Sequence, residues 1–325
     1  MFKIVILGHS DMLSNLIIGS TDANCKIVGV LRYEKLKNCT FVQKLKDFFL
    51  PSKEYSYIKS YNLPEIKSKS ANSKAFKKEL LKLNPDIVLV GTWAEKLKKD
   101  IIQLPKIAMI NVHPSLLPKY RGPNPYLQTI WNGEEKTGIT FHLMSEKFDA
   151  GPILLQKTIE IKPNDTGKEL RERTVLTARS AVTELLNMLA DDFIIPVDQS
   201  EDRATYQPQV TRDDVMLDFN KSAKEISAHI RAFHPWSKTY FEYGTKFFTP
   251  NPYELQILEN EKENYSIGEI IDKNHEENSI TVVCGDGKLL KMSKLKLYGF
   301  FNKFGTSSYI KNQVKLKERL YCSSK

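Results

Sequence analysis

Four short apolar runs constrain the fold of this chain more than any other feature of its sequence. They occupy residues 2–7, 26–31, 87–90 and 107–112, and glycine or a polar residue follows each one. Helix-like segments separate the first run from the second and the second from the third. Runs without alternation are typical of strands buried on both faces, and strands that alternate with helices favour a parallel sheet. The sequence therefore predicts an α/β fold with an open, mostly parallel sheet.

The 325 residues exceed what one ordinary core needs, so the chain is predicted to contain two domains. Further strands and a long helix extend the first domain, and residues 191–213 lack periodicity and contain two prolines, as a linker does. Beyond them, one helix pattern is followed by short strand-like runs between turn residues, which favours a small antiparallel β-barrel. The predicted bounds are 1–190 for the first domain and 214–325 for the second.

Composition excludes several classes of protein. No apolar run approaches the roughly 20 residues that a membrane-spanning helix needs, and the first residues are more typical of a strand than of a signal peptide. We therefore expect a cytoplasmic protein without a membrane partner. The four cysteines form no CxxC pair and have no metal-ligand spacing with histidine, so neither a metal site nor a disulfide framework is expected.

The formal net charge of +9 is unevenly distributed along the chain. Residues 1–110 and residues 288–325 each carry a net charge of +9, whereas the part between them is acidic. Two basic regions are compatible with a polyanionic partner, but they are equally compatible with solvated lysine-rich helices. Charge alone therefore leaves the partner open.

A candidate catalytic cluster begins at the end of the fourth apolar run. Asn111 and His113 are two residues apart in a predicted strand, so their side chains face the same side of the sheet. Open α/β sheets bind ligands outside the carboxyl ends of their strands. An amide beside an imidazole can stabilise an oxyanion and move a proton near neutral pH. Asp149 can supply the carboxylate that orients such an imidazole and favours its protonated form.

Residue types and spacing alone leave a structural role open for these three side chains. A histidine is more often structural than catalytic, and an aspartate before a small residue and glycine commonly forms a turn. The other histidines are interpreted as mostly structural: His9, His142, His229, His234 and His275.

Three separated motifs carry a resemblance to a known family. They are NVHPSLLPKYRG at residues 111–122, TGITFHLM at 137–144 and FDAGPIL at 148–154. In this order they resemble the motifs of the folate-dependent formyltransferases, which use 10-formyltetrahydrofolate. The resemblance implies a Rossmann-like formyltransferase domain followed by an OB-like β-barrel, in agreement with the fold predicted from the apolar runs.

The resemblance also implies roles for individual residues. It makes Asn111, His113 and Asp149 the catalytic residues of a formyl transfer. A second set is expected to contact 10-formyltetrahydrofolate, and it consists of Trp93, Ser115, Leu116, Leu117 and Pro118. For Trp93, a place in the hydrophobic core is an equally good interpretation.

The acceptor amine is the part of the reaction that the sequence leaves open. Residues 219–226 and 230–236 are similar to the C-terminal domain of methionyl-tRNA formyltransferases, which favours methionyl-tRNA. The Gly-, Arg- and Lys-rich insertion usual in those enzymes has no Gly-Arg-Gly counterpart in residues 31–70, which favours a nucleotide-linked amino sugar. Residues 32–84 are the divergent segment, where the resemblance is weakest. A noncatalytic folate- or RNA-binding relative is disfavoured, because all three catalytic positions are intact. We therefore expect N-formylation of methionyl-tRNA, with the amino sugar as the alternative.

Residues that could contact the acceptor follow the second set in sequence. Tyr120, Arg121 and Tyr126 are candidates, and an ion pair with an acidic side chain is the structural alternative for Arg121. Of the two basic regions, residues 288–325 are the better candidate for a phosphate-binding surface. The sequence does not indicate an oligomeric state.

Overall fold

The computed structural model describes residues 1–33, 52–260, 264–298 and 305–320. Part of the divergent segment 32–84, together with Cys39 and Cys322, lies outside the described residues.

Packing divides the chain into two compact units, each assembled from separate stretches of sequence. The first unit contains Met1–Pro125, Lys136–Glu160 and Arg171–Pro208. The second unit contains Tyr126–Glu135, Ile161–Leu170 and Gln209–Lys325.

A six-stranded sheet organises the first unit. Its strands are β1 (Lys3–Gly8), β2 (Lys26–Arg32), β3 (Ile87–Gly91), β4 (Ala108–His113), β5 (Lys136–Leu143) and β6 (Ile153–Glu160). Their order across the sheet is β2-β1-β3-β4-β5-β6. The pairs among β1 to β4 are parallel, and β5 and β6 pair antiparallel with their neighbours. The predicted fold class, an open and mostly parallel α/β sheet, is confirmed.

The central strands form because their side chains can be buried on both faces of the sheet. Every residue of β3 is buried, and so is every residue of β1 after the first. Ile4 and Ile6 lie in one hydrophobic cluster, whereas Val5 and Leu7 lie in another. This division follows from the two-residue period of a strand, which sends successive side chains to opposite faces.

The α-helices of the described residues are α1 (Ser10–Asp22), α2 (Lys53–Ser60), α3 (Lys74–Leu83), α4 (Lys99–Ile102), α5 (Pro125–Trp131), α6 (Gly167–Ala190), α7 (Ala223–Phe233) and α8 (Thr306–Asn312). Close packing of α1 on α6 requires Gly19, since a Cβ there would lie 2.3 Å from Val182 Cγ1. None of these helices is both long and apolar enough to cross a membrane.

Two antiparallel sheets organise the second unit. Their strands are β7 (Phe241–Tyr243), β8 (Lys246–Thr249), β9 (Leu255–Leu258), β10 (Ile270–Asn274), β11 (Ser279–Val283), β12 (Leu289–Met292) and β13 (Lys296–Leu297). The orders are β10-β11-β12-β9 and β13-β8-β7. Phe219, Phe241 and Phe248 pack with Ile226 of α7 in one core. The expected C-terminal domain of antiparallel strands is confirmed, while the domain bounds drawn from the sequence stay predictions.

Candidate active site

A polar cluster lies at the carboxyl end of β4, with His113 buried and Asn111 and Asp149 partly buried. Asn111 and His113 belong to β4, and Asp149 lies in the loop between β5 and β6. Asn111 Nδ2 donates to Asp149 Oδ1 at 3.1 Å, and His113 Nδ1 lies 3.5 Å from the same oxygen. The structure therefore brings together the three residues that the sequence predicts as catalytic.

A second imidazole, that of His142 on β5, belongs to the same cluster. Antiparallel pairing of β5 with β4 places His142 opposite Asn111 and Thr140 opposite His113. His142 Nε2 lies 3.1 Å from Asn111 Nδ2 and 3.6 Å from Asp149 Oδ1, and the side chain is 2% exposed. The interpretation of His142 as mostly structural from the sequence did not include this contact with Asn111 and Asp149. The two-residue spacing of Thr140 and His142 is the signal that could have found it, because such residues share one face of a strand.

The backbone around Asp149 holds its carboxylate in place. Asp149 has a φ of 51°, a left-handed conformation that aspartate tolerates better than most residues. Gly122 N donates to Asp149 Oδ2 at 2.9 Å. Gln199 Nε2 donates to the carbonyl oxygens of Asp149 at 2.8 Å and of Gly151 at 2.7 Å. Gly151 has no room for a side chain, since a Cβ would lie 1.8 Å from the Leu143 carbonyl oxygen.

Burial and charge act in opposite directions on the ionisable groups of the cluster. Burial would raise the pKa of Asp149, but the interactions with His113, His142 and the Gly122 N–H hold the pKa of this carboxyl well below its usual range. Burial is the largest influence on His113 and lowers its pKa, and attraction to Asp149 offsets this only in part. Asp149 is therefore ionised near pH 7, and the pKa of His113 lies below its ordinary value. Attraction to Asp149 raises the pKa of His113 and so acts in the expected direction, while burial opposes it more strongly.

The loop after β4 determines which nitrogen of His113 carries the hydrogen. His113 Nε2 lies 2.7 Å from the carbonyl oxygen of Tyr120, and a carbonyl oxygen can only accept. Nε2 is therefore protonated in the neutral ring, and the lone pair is at Nδ1. Nδ1 is the atom that faces Asp149. Both ring nitrogens of His113 thus face acceptors, and a proton added at Nδ1 would meet the Asp149 carboxylate.

The loop predicted to contact folate, residues 115–118, follows His113 directly and is tied to β5. Thr140 Oγ1 donates to the Ser115 carbonyl oxygen at 2.6 Å and accepts from Leu117 N at 3.3 Å. The side chains of the loop that are partly exposed are those of Leu116 and Pro118. These bonds anchor the loop beside the cluster, and its contact with folate stays a prediction.

Trp93 lies two residues beyond β3, at the same edge of the sheet. Val90 on β3 pairs with Asn111 on β4, so the carboxyl ends of the two strands lie side by side. The Trp93 ring packs edge-on against Tyr33, with ring centroids 5.1 Å apart. Its buried Nε1 has no hydrogen-bond partner among the residues that the structure describes. A buried N–H of this kind fits a folate ligand, because the pterin and amide groups of folate offer acceptors.

Residues 197–207, which belong to the predicted linker, form a strap along the cluster. The Arg121 N donates to the Thr205 carbonyl oxygen at 2.8 Å. The Arg121 guanidinium donates to Gln199 Oε1 at 2.9 and 3.1 Å and pairs with Glu201 at 3.1 Å. The structure therefore shows the ion pair that is the structural alternative for Arg121. Because Gln199 also donates to the Asp149 loop, the strap links Arg121 to the polar cluster.

The basic region of the second unit, residues 288–325, is partly neutralised by ion pairs. Those in its described part are Lys288–Glu259, Lys291–Glu277, Lys294–Glu254 and Lys315–Glu318. Three exposed lysines there form no ion pair with another described residue: Lys296, Lys311 and Lys317. As for metals, the described ranges contain no group of three or more His, Cys, Asp or Glu side chains that could hold an ion.

The fold and the cluster define an α/β protein with ionisable side chains gathered at the carboxyl edge of its sheet. Comparison with known proteins then identifies the family. The profile for Formyl transferase matches residues 2–186, and the profile for Formyl transferase, C-terminal domain, matches residues 209–299. The chain belongs to the formyl transferase family.

Curated relatives of this chain carry the name methionyl-tRNA formyltransferase. The protein of Clostridioides difficile strain 630 is 32% identical over 271 residues, which cover 83% of this chain and 85% of the relative. The protein of Thermotoga maritima is 35% identical over 183 residues, which cover 56% of this chain and 58% of the relative. The chain thus spans somewhat more than half the length of the Thermotoga relative in that alignment.

Solved structures with the same fold include enzymes that act on sugars. One is the N-formyltransferase from Helicobacter canadensis in complex with folinic acid and dTDP-3-aminofucose, with a TM-score of 0.66 and 19% identity, covering 92% of this chain and 100% of that one. Another is WlaRD, a sugar 3N-formyl transferase, with a TM-score of 0.63 and 18% identity, covering 90% of this chain and 98% of that one. At such identities these likenesses show the fold.

Proposed function

We propose that this chain is a 10-formyltetrahydrofolate-dependent N-formyltransferase whose acceptor is the amino group of methionyl-tRNA. The observation that carries the proposal is the meeting of Asn111, His113 and Asp149 in one polar cluster. Alignment with methionyl-tRNA formyltransferase over most of both chains supports the choice of acceptor. A cytoplasmic location, where charged tRNA is available, is part of the proposal.

The proposed reaction needs a formyl donor and an acceptor amine as substrates. 10-Formyltetrahydrofolate supplies the formyl group, and residues 115–118 with Trp93 are the residues proposed to hold it. The amine nitrogen forms a bond to the formyl carbon, the bond between that carbon and N10 breaks, and one proton moves from the amine to N10. The products are a formamide and tetrahydrofolate.

Each residue of the cluster has a distinct part in this reaction. His113 accepts the amine proton at Nδ1, which carries the lone pair in the neutral ring. Asp149 stabilises the imidazolium that results, since its Oδ1 lies 3.5 Å from Nδ1. His113 then donates this proton to N10 of the leaving group. Asn111 Nδ2 is the donor for the negative charge that develops on the formyl oxygen, through the hydrogen that it directs to Asp149 Oδ1.

The acceptor is the finer part of the proposal. A nucleotide-linked amino sugar is the alternative, and the complex of the Helicobacter canadensis enzyme with dTDP-3-aminofucose names such a ligand for that protein. The likeness to that structure is one of fold, whereas the relatives aligned at 31–39% identity carry the name methionyl-tRNA formyltransferase. The three exposed lysines of residues 288–325 that form no ion pair with a described residue also suit a polyanionic acceptor better than a small one.

The decisive experiment offers 10-formyltetrahydrofolate with either charged initiator tRNA or a panel of amino-sugar nucleotides. Formylated methionine on the tRNA is the expected product, and H113A should form it at a rate reduced at least 100-fold, of the order known for lost acid–base groups, about 10²–10⁴. Formylation of a sugar alone would overturn the tRNA assignment. Near wild-type turnover by a correctly folded H113A would overturn the assignment of the cluster.

A further inference from the structure

We propose that His142 is a positioning residue that fixes the orientation of the Asn111 side-chain amide. The expected effect on catalysis rests on the proposed function, whereas the orientation of the Asn111 amide follows from the contacts within the cluster. His142 Nε2 lies 3.1 Å from Asn111 Nδ2, and the strand register places the two residues directly opposite each other. The contact is therefore set by backbone pairing and does not depend on a flexible loop.

The surroundings of His142 determine which of its nitrogens can accept a hydrogen bond. His142 Nδ1 lies 2.9 Å from the carbonyl oxygen of Leu143, which has no hydrogen to donate. Nδ1 therefore carries the hydrogen in the neutral ring, and Nε2 has the lone pair. This assignment makes Nε2 the acceptor of a hydrogen from Asn111 Nδ2.

Both hydrogens of the Asn111 amide are then directed by neighbours. One points to His142 Nε2 and the other to Asp149 Oδ1, each with a heavy-atom distance of 3.1 Å. A rotation of the amide by 180° would place Asn111 Oδ1 against two acceptors, the His142 lone pair and the Asp149 carboxylate. Two repulsive contacts would replace two hydrogen bonds, so Nδ2 stays turned toward His142 and Asp149. In the proposed reaction the hydrogen directed at Asp149 is the one given to the formyl oxygen, while His142 keeps the other.

Burial argues that His142 is more than a space-filling side chain. The side chain is 2% exposed, and removing an imidazole from water costs free energy unless its polar atoms are satisfied. An apolar residue would fill the same volume without that cost. The two satisfied nitrogens of His142 are thus the reason that an imidazole suits this position.

A matched pair of amide variants separates positioning from packing. In H142Q the side-chain amide lies near the position of Nε2 in the wild type, so its oxygen can still accept from Asn111 Nδ2. In H142N the shorter side chain places its amide near the position of Nδ1, where it cannot reach Asn111. We expect H142Q to keep kcat within about threefold of wild type and H142N to lose at least about tenfold, a loss typical of a weakened oxyanion donor. KM for both substrates should change little in either variant. Equal kcat values for the two variants, whether high or low, would overturn the inference.

A measurement without substrates keeps the inference separate from the proposed function. The ¹⁵N chemical shifts of the His142 ring in the full chain report its tautomer, and we expect Nδ1 protonated and Nε2 unprotonated. For H142Q and H142N, the ¹⁵N shifts of the remaining histidines are compared with those of the wild type to verify native folding. An Nε2-protonated His142 ring would contradict the proposal whatever acceptor the protein uses. Failure of the wild type to formylate any acceptor, with the expected tautomer present, would count against the proposed function alone.

Discussion

The polar cluster of the first unit and the basic region of the second unit hold their charges in different ways. In the cluster, His113 is 5% exposed and the Asp149 side chain 11% exposed, and every charged atom faces a named donor or acceptor. In the basic region, Lys296, Lys311 and Lys317 are exposed to solvent. Water and salt weaken the interactions of exposed charges, whereas burial strengthens hydrogen bonds and ion pairs and makes them depend more on geometry. Substitutions in the cluster should therefore change activity by orders of magnitude, and those in the basic region only severalfold.

The largest expected effect follows from removing the Asp149 charge without changing its shape. The D149N side chain can still accept from Gly122 N through its amide oxygen, but it no longer stabilises a protonated His113. We expect kcat to fall by about 10³-fold, within the range known for lost acid–base groups. Single-turnover kinetics measure the chemical step, and a near-UV circular dichroism spectrum like that of the wild type verifies folding. A loss below about tenfold would mean that His113 does not need the carboxylate.

The lowered pKa of His113 predicts the direction of the pH dependence. In the proposed reaction His113 acts as a base in its neutral form, so kcat/KM should be constant near pH 7 and decrease as pH falls below the pKa. Because burial lowers this pKa from its ordinary value of about 6.5, half-maximal kcat/KM should occur below that pH. Below it the rate should decrease about tenfold per pH unit. A half-maximal point at or above the ordinary histidine value, measured on wild-type protein that is stable across the range, would contradict the proposed state of His113.

A smaller effect is expected from loosening the strap. Q199A removes the hydrogen bonds to the carbonyl oxygens of Asp149 and Gly151 without touching a reacting group. The Asp149 carboxylate should become less well placed, and we expect kcat to fall about tenfold because misplacement of a catalytic group is costly. Q207A is the matched control, since its side chain forms no hydrogen bond with the described residues. Equal activities of Q199A and Q207A would show that the strap has no part in positioning Asp149.

The contrast between these regions also explains how much the sequence could predict. The pairing of Asn111 with His113 could be predicted from the sequence, because strand periodicity alone places both side chains on one face of the sheet. Asp149, 36 residues beyond His113, required the resemblance of motifs, since no local pattern states that the loop after β5 returns to the end of β4. His142 and Gln199 depend on strand register and on the path of the strap, which are tertiary properties. The two units are likewise assembled from separate stretches, such as Tyr126–Glu135 in the second unit, which composition cannot indicate.

The smallest expected effect tests which of the two basic regions meets a polyanion. The triple variant K296Q/K311Q/K317Q removes exposed lysines from the second unit. The matched variant K67Q/K69Q/K78Q removes three exposed lysines from the first unit and changes the net charge equally.

If the second unit contacts tRNA, its variant should weaken tRNA binding about three- to tenfold. It should also reduce the slope of log K against log salt by up to about one for each phosphate that a lysine no longer neutralises. The first-unit variant should show only the weak, long-range part of this effect, because its lysines would touch no phosphate. Binding titrations with charged tRNA at several salt concentrations measure both quantities, with folate binding as the control that neither variant should change. Equal slopes for the two variants would show that net charge, and no particular surface, attracts the acceptor.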